Sequence, residues 1–430
     1  MYLDEIVAAQ KRGEAKGIAS ICSAHPFVIQ QTLKVSKTFR VSPLIEATCN
    51  QVNQFGGYTG MTPKDFAAYV RGLAEENGCP VGNILLGGDH LGPSAWQDEL
   101  AESAMQKAEV LIRDYVQAGF TKIHLDCSMK LADDPPGALD VELTAKRAAQ
   151  LAKVAESVGT GLAPVQSSAP VQLPRYVIGT EVPIPGGAIG HEEGVSVTKV
   201  EDARQTLEVT REAFYRAGLQ SAWERVIALV VQPGVEFGDD FVLPYQPEPA
   251  RALSEFIESQ PVVFEAHSTD YQARQALKNL VRDHFAILKV GPALTFAFRE
   301  AVFALAMMEN ELFPPQERSN IISVLGDVML EQPGHWAKYY HGDVREQAFK
   351  RKYSLSDRIR YYWTDPRVQR AFEKMMRALG ENPLPAMLVG QFAPDVFASN
   401  KDGGNRFTPG QVLAVKIENV LDDYVQACNL

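Results

Sequence analysis

The chain has 430 residues, 46% of them hydrophobic and 22% charged, which excludes a disordered polymer and allows a large packed core. A formal net charge of -11 and a pI near 5.3 exclude a general electrostatic grip on nucleic acid, leaving room only for a local basic pocket. Cys22, Cys49, Cys79, Cys127 and Cys428 show neither close metal-ligand spacing nor an even disulfide framework, and no apolar run reaches bilayer length; the expected setting is a reducing cytoplasm, away from membranes.

"MYLDEIVAAQKRGEAKG" predicts a short amphipathic helix rather than a signal peptide. One pattern then recurs: a short apolar run ends in polar or glycine residues and a helix-like segment follows. The runs are "GIASICSAH" (17–25), "VSPLIEATC" (41–49), "NILLGGDH" (83–90) and "KIHLDCS" (122–128). They continue with "YVIGTEVP" (176–183), "RVIALVVQPG" (225–234), "VVFEAHSTD" (262–270) and "FAILKVGPAL" (285–294). Linking stretches such as "ELAESAMQKAEVLIRDYVQAG" space apolar residues every three or four positions and stop at glycine, as helices do. Eight such units predict an α/β fold, a TIM (β/α)8 barrel over residues 1–310 with the N-terminal helix included, in preference to an open doubly wound sheet. "EAVFALAMMENELF" is its last helix. Residues 311–430, including "NIISVLGDVMLEQ" and "RVQRAFEKMMRALG", predict a helical C-terminal extension packed on the barrel. Neither G-x-G-x-x-G after the first run nor G-x-x-x-x-G-K-[ST] occurs, so the usual dinucleotide and P-loop readings lose their support.

A barrel gathers chemistry at the C-terminal ends of its strands. That edge carries Glu46, Asn50, Gln51, Asn53, Asp89, His90, His124, Asp126, Glu181, Gln232, Glu265, His267, Asp270 and Lys289. Any one of these is an ordinary cap or paired core group; together they predict one shared polar mouth, because buried charge needs partners. His90, His267 and Glu181 suit a divalent metal with open positions for substrate oxygens. His124 reads equally as a support for that site or a satisfied core histidine, and His25 as a residue at the mouth. His191, His284, His335 and His341 read as surface or structural. Lys289 either pairs with Glu265, reaches a substrate hydroxyl or forms a Schiff base. Asn50, Gln51, Gln232, Glu265, Asp270 and Lys289 are the substrate-binding candidates. Loops after strands seven and eight commonly hold phosphate, which makes Ser268, Thr269 and Gly291 phosphate candidates, joined by Ser356, Arg358, Arg360 and Tyr361 of the extension.

The stretches "ICSAHP", "LIEATCNQVNQFGGYTGMTP", "LGGDHLGP", "IHLD", "YVIGTEVPIPGG", "VVQPGVEF", "EAHSTDYQ", "LKVGPALTFAFREA" and "SLSDRIRYYW" resemble the GatZ/KbaZ family of tagatose-1,6-bisphosphate aldolase subunits, which includes D-tagatose 6-phosphate 4-epimerases. Lys352-Tyr353 before the last motif is a small departure from the family pattern. The resemblance spans nearly the whole chain and implies a barrel related to class II aldolases. It implies one of two activities. The first is interconversion of D-tagatose 6-phosphate and D-fructose 6-phosphate by an enzyme acting alone. The alternative is a non-catalytic subunit that stabilises a class II aldolase catalytic partner. A phosphorylated ketohexose is the implied ligand, Zn2+, Mn2+ or Mg2+ the cofactor, and a homo-oligomer is compatible with either reading.

Inversion at C4 cannot proceed by simple enolisation, since C4 is not adjacent to the C2 carbonyl. Retro-aldol cleavage between C3 and C4, followed by re-addition to the opposite aldehyde face, can achieve it. By resemblance to class II aldolases, Asp89 is the acid/base at C4 and His90 the neighbouring metal ligand, with Asp126 or Glu46 as the second proton-transfer group.

Overall fold

A computed structural model of the protein describes residues 2–137, 139–161, 172–180, 195–399 and 406–429. Each of the eight runs holds a strand, to within one residue. These are β1 (Ile18–Ile21), β2 (Leu44–Thr48), β3 (Leu85–Leu91), β4 (Lys122–Leu125), β5 (Arg175–Ile178), β6 (Val226–Val230), β7 (Val263–Ala266) and β8 (Phe285–Val290). All pair in parallel with their sequence neighbours, and β1 closes on β8 with Ser20 opposite Lys289. The sheet is therefore a closed TIM-type barrel, which leaves no exposed strand edge in that sheet. A short antiparallel ribbon, Glu236–Phe237 with Val242–Leu243, follows β6.

The helices between strands form for local reasons. Thr62 and Asp65 make a capping box at the start of helix Pro63–Glu76, whose Phe66, Ala67, Val70, Leu73 and Ala74 form the buried stripe. Helix Ala101–Ala118 stops at Gly119, whose φ of 89° lies in the left-handed region.

Residues two apart on a strand share a face, and that parity layers the lumen. Ile18, Leu44, Leu85, Val177, Ala228, Val263 and Ile287 form one apolar cluster with Leu3 and Ile6 of helix Tyr2–Lys11, which plugs the N-terminal end. Two residues further along, four of the seven equivalent positions turn polar: Ser20, Glu46, Glu265 and Lys289 are all buried. The floor of the mouth is thus built one layer above an apolar stopper.

Beyond helix Pro292–Leu312, further helices pack on the barrel. Helix Pro409–Ala427 lies against helices Pro26–Phe39, Arg274–Arg282 and Pro292–Leu312, and the Tyr424 hydroxyl donates to the Thr269 carbonyl at 2.8 Å. The turn Arg358–Tyr361 is tied to the barrel through Asp357, which pairs with Arg299 at 2.9 Å and accepts from Thr295 at 2.6 Å. No helix among the described residues is long and apolar enough to cross a membrane.

Candidate active site at the barrel mouth

Glu46, Lys122, Glu265 and Lys289 meet in the lumen as a ring of alternating charge. The Lys122 ammonium stands 2.6 Å from a carboxylate oxygen of Glu46 and 2.6 Å from one of Glu265. Lys289 contacts the other Glu46 oxygen and lies 2.7 Å from Asp89 and 3.8 Å from Glu265. Gly87 makes the ring sterically feasible, since a Cβ there would lie 2.6 Å from the Glu46 side chain. Burial by itself would lower the pKa of Lys289, but the charges of Asp89, Glu46 and Glu265 hold it well above the ordinary lysine value. An ammonium held in that state is a poor amine nucleophile, which argues against a Schiff base. Glu265 is likewise kept ionised: burial opposes the charge, while Lys122, Lys289 and His267 overcome it.

Asp89 and His90 are adjacent in sequence and would normally point to opposite faces of β3. The pairing of β3 with β4 slips between Gly88 and Leu91, and His90 takes a left-handed φ of 48°, so both side chains line the mouth. Asp89 stays ionised because His90, Lys289, His124 and His267 outweigh its burial. The His90 Nδ1 faces Asp126 at 2.8 Å, and Asp126 also accepts from the Ser128 amide and hydroxyl at 3.0 and 2.6 Å. Gly92 permits this approach of β3 to β4, since a Cβ there would sit 1.7 Å from the Asp126 carbonyl oxygen.

Three imidazoles converge beside Asp89. The His90, His124 and His267 rings lie 5.2, 4.9 and 5.2 Å apart by pairs. Each has one nitrogen held: His90 by Asp126, His267 Nε2 by Glu265 at 2.9 Å, and His124 Nδ1 by the His90 amide, which donates at 3.2 Å. Among the described residues, His124 Nε2 is buried without a hydrogen-bond partner. Asp89, His124, Glu265 and His267 can present ligand atoms that all lie within 4.8 Å of one another. Around them, the four carboxylates Glu46, Asp89, Asp126 and Glu265 outnumber the two ammonium groups of Lys122 and Lys289. Imidazole donors braced by carboxylates, in a pocket with excess negative charge, fit a divalent cation. Burial pushes His267 down to about 3, so its imidazole is neutral and able to ligate at neutral pH.

Above this floor opens a cavity of about 700 Å³. Asp89, His90, Asp126, His267 and Lys289 line it, together with Asn50, Gln51, Ser268, Asp270, Gly291, Arg358, Arg360 and Tyr361. Several expectations are corrected here. Glu46 and Glu265 lie beneath the cavity and hold the two lysines, so neither the second proton-transfer role of Glu46 nor substrate contact by Glu265 fits their placement. Lys289 pairs more closely with Asp89 and Glu46 than with Glu265. Gln232 closes its own turn, accepting from the Gly234 and Val235 amides at 2.8 and 3.0 Å. The Thr269 hydroxyl donates to the Lys289 carbonyl at 2.6 Å, and Ser356 bonds to Ser354 at 2.9 Å; neither lines the cavity. Asp270 lines the cavity, yet its carboxylate accepts from the amides of Gly291 and Ala293 at 3.0 and 2.8 Å, so the Gly291 amide is already used. Gln51 lines the mouth while also accepting from the Thr48 amide at 2.9 Å. Glu181 lies outside the described residues, and His124 enters the candidate ligand group.

Lys122 went unread because a lysine at a strand start ordinarily snorkels to solvent. Its i+2 partner His124, on the same face as the polar layer, was the available signal. His335 also lines the cavity, stacked on Tyr361 with ring centroids 4.7 Å apart, although its sequence setting read as surface.

His25 lies against Phe298 with ring centroids 4.1 Å apart, and burial pushes its pKa down to about 3. An unfolded histidine titrates near 6.5, so below that pH only the unfolded chain binds this proton. The contribution is fully present above about pH 6.5 and is lost as pH falls toward 3. His25→Phe is expected to flatten the acid dependence of urea unfolding by up to about 1.4 kcal/mol per pH unit. An unchanged slope between pH 6 and 5 would mean that folded His25 is already charged.

The barrel with this mouth has close relatives. A family model described as D-tagatose-1,6-bisphosphate aldolase subunit GatZ/KbaZ-like matches residues 3–429. The D-tagatose-1,6-bisphosphate aldolase subunit GatZ of Salmonella dublin is 50% identical over 426 residues, covering 99% of each chain. The protein of the same name from Salmonella typhimurium is 51% identical over 426 residues, with the same coverage. A crystal structure of a probable tagatose 6 phosphate kinase from Sinorhizobium meliloti 1021 superposes with a TM-score of 0.87 at 45% identity, over 96% of this chain and 100% of that one. With the match running from one end of the barrel and its extension to the other, the chain belongs to the GatZ/KbaZ-like family of D-tagatose-1,6-bisphosphate aldolase subunits.

Proposed function

We propose that the barrel mouth is a ketohexose 6-phosphate site that interconverts D-tagatose 6-phosphate and D-fructose 6-phosphate by retro-aldol cleavage and re-addition. The observation that carries this reading is Asp89, an ionised carboxylate lining the cavity with Lys289 at 2.7 Å and three imidazoles around it. In the forward direction the Asp89 carboxylate takes the C4 hydroxyl proton. The C3–C4 bond breaks and its electron pair moves into the C2 carbonyl, leaving dihydroxyacetone enediolate and glyceraldehyde 3-phosphate. A divalent cation held among Asp89, His124, Glu265 and His267, with His90 beside them, would supply positive charge to stabilise the enediolate. Lys289 keeps Asp89 anionic before the step and offers hydrogen bonds to oxygens that gain charge. After the aldehyde turns, C3 re-attacks its other face and the new C4 alkoxide takes back the proton that Asp89 removed.

A second reading is favoured by the names of the relatives, which are called aldolase subunits. On that reading the chain supports a separate aldolase catalytic chain and its mouth is an inherited site. The names weigh toward this second reading, and the geometry toward the first. The deciding experiment incubates the purified chain alone with each 6-phosphate, following epimer and triose by NMR. Epimer formation supports the enzyme. No turnover alone, with activation or stabilisation of an added class II aldolase chain, supports the subunit.

The cation can be tested without turnover. Chelated protein titrated with Co2+ is expected to bind one ion and show ligand-field absorption that His267→Ala abolishes. Asp126→Asn, which removes the brace on His90, is expected to weaken binding roughly 10- to 100-fold. Unaltered Co2+ spectra in both variants would place the ion elsewhere.

A further inference from the structure

In many barrels of this kind, phosphate sits where the loop after strand eight meets a helix N-terminus. Here that place is taken. The Asp270 carboxylate already accepts from the Gly291 and Ala293 amides at the start of helix Pro292–Leu312, so a second anion there would meet a like charge at close range. The Thr269 hydroxyl is spent on the Lys289 carbonyl.

The neighbouring turn of the extension has the converse imbalance. Arg358 is 3% exposed, stacks on Tyr339 and donates to the His335 carbonyl at 3.1 Å, while its Nε is buried with no hydrogen-bond partner among the described residues. Arg360 donates to the Tyr361 hydroxyl at 2.8 Å and to the carbonyls of Ser356 and Asp357. Among the described residues, neither guanidinium has a carboxylate within ion-pairing distance. The carboxylates nearest in charge are committed, Asp357 to Arg299 at 2.9 Å and Asp270 to its two amides. Two neighbouring guanidinium groups lining a cavity without counter-ions call for an anionic ligand, because buried charge is tolerated only when paired.

We infer that Arg358 and Arg360, beside Tyr58 and Tyr361, form the phosphate subsite of this cavity, so that the C-terminal extension rather than the turn after β8 grips the ligand's phosphate. The inference rests on reading the mouth as a sugar-phosphate site, and it sharpens that reading to ligands with a terminal phosphate. Tyr58 and Tyr361 meet edge to face with centroids 4.7 Å apart, which places a β2-side residue against the extension. Arginine is suited to the task because its fork matches two phosphate oxygens at once.

The test is calorimetric titration of the full chain, in chelator, with inorganic phosphate. Neither metal nor turnover is involved, so failure of the epimerase reading and failure of this one are distinguishable. The wild type is expected to bind phosphate, and Arg358→Met and Arg360→Gln each to weaken it roughly 10- to 100-fold. Arg360 is only partly buried, so R360Q keeps the test open if R358M fails to fold by circular dichroism. No phosphate binding by the wild type, or wild-type affinity in R360Q together with loss of binding in Ser268→Ala, would overturn the assignment.

Discussion

Asp89→Asn is expected to lower conversion of tagatose 6-phosphate by roughly 10²- to 10⁴-fold, the usual worth of a positioned acid/base group. The amide keeps the shape of the carboxylate but cannot take the C4 hydroxyl proton. It also leaves Lys289 with only Glu46 and the more distant Glu265 as counter-ions. The fold should survive, because the other charges of the lumen remain paired. A fall in kcat with near-native circular dichroism and unaltered phosphate binding is the expected pattern. If D89N retains full turnover, the proton is carried by another group, and Asp126, also on the cavity wall, is the next to replace. The direction of the pH effect follows from the same surroundings. Asp89 is held ionised below its ordinary range, so its base form persists as pH falls well below neutrality.

Lys122→Met is expected to be the costliest change to stability, about 3–5 kcal/mol, because it leaves buried carboxylates without their shared partner. Lys122 is fully buried and bridges Glu46 and Glu265, each at 2.6 Å. Methionine fills much the same volume, so lost packing contributes little. Adding Glu46→Gln should recover part of the loss, since one unpaired charge is then removed. Urea unfolding of the three proteins measures this, and a single-variant loss below about 1 kcal/mol would show that the ring relaxes without Lys122. The same change should reach the mouth, because Glu265 holds His267 Nε2 at 2.9 Å. Weaker Co2+ binding in K122M would trace that path separately from overall stability.

The barrel was legible because strands and helices leave different periods. Runs of seven to ten residues between amphipathic stretches carried the strand count, and each of β1 to β8 coincides with one of them, β3 and β5 overrunning by a single residue. Asp89, His90, Asp126, His267 and Lys289 were legible as one site because they stand at or near the C-terminal ends of β3, β4, β7 and β8 of one barrel. Their division of labour was harder to read. Parity alone would send Asp89 and His90 to opposite faces, and only the slipped pairing with β4 turns both inward. Lys122 gave no warning, since the direction of a strand-start lysine depends on what faces it across the lumen. Gln232, Thr269 and Ser356 had the right residue types near the right places, but nearby backbone or side-chain partners had already claimed them.

The phosphate expectation separates the two levels most clearly. "EAHSTD" and "KVGPAL" announce a strand, a turn and a helix N-terminus, features set by local pattern and recognisable in a linear sequence. Whether that N-terminus is open depends on the Asp270 side chain, whose two amide partners lie 21 and 23 residues away. The sequence by itself determined the number and order of the βα units and the residue types at the strand ends, because periodicity and parity act over a few residues. Tertiary structure alone decided which charges neutralise each other in the lumen and which arginines of the extension lack a counter-ion among the described residues. Those outcomes depend on distances across a closed barrel, and Coulomb energies in a buried site change by several kcal/mol over a few ångströms.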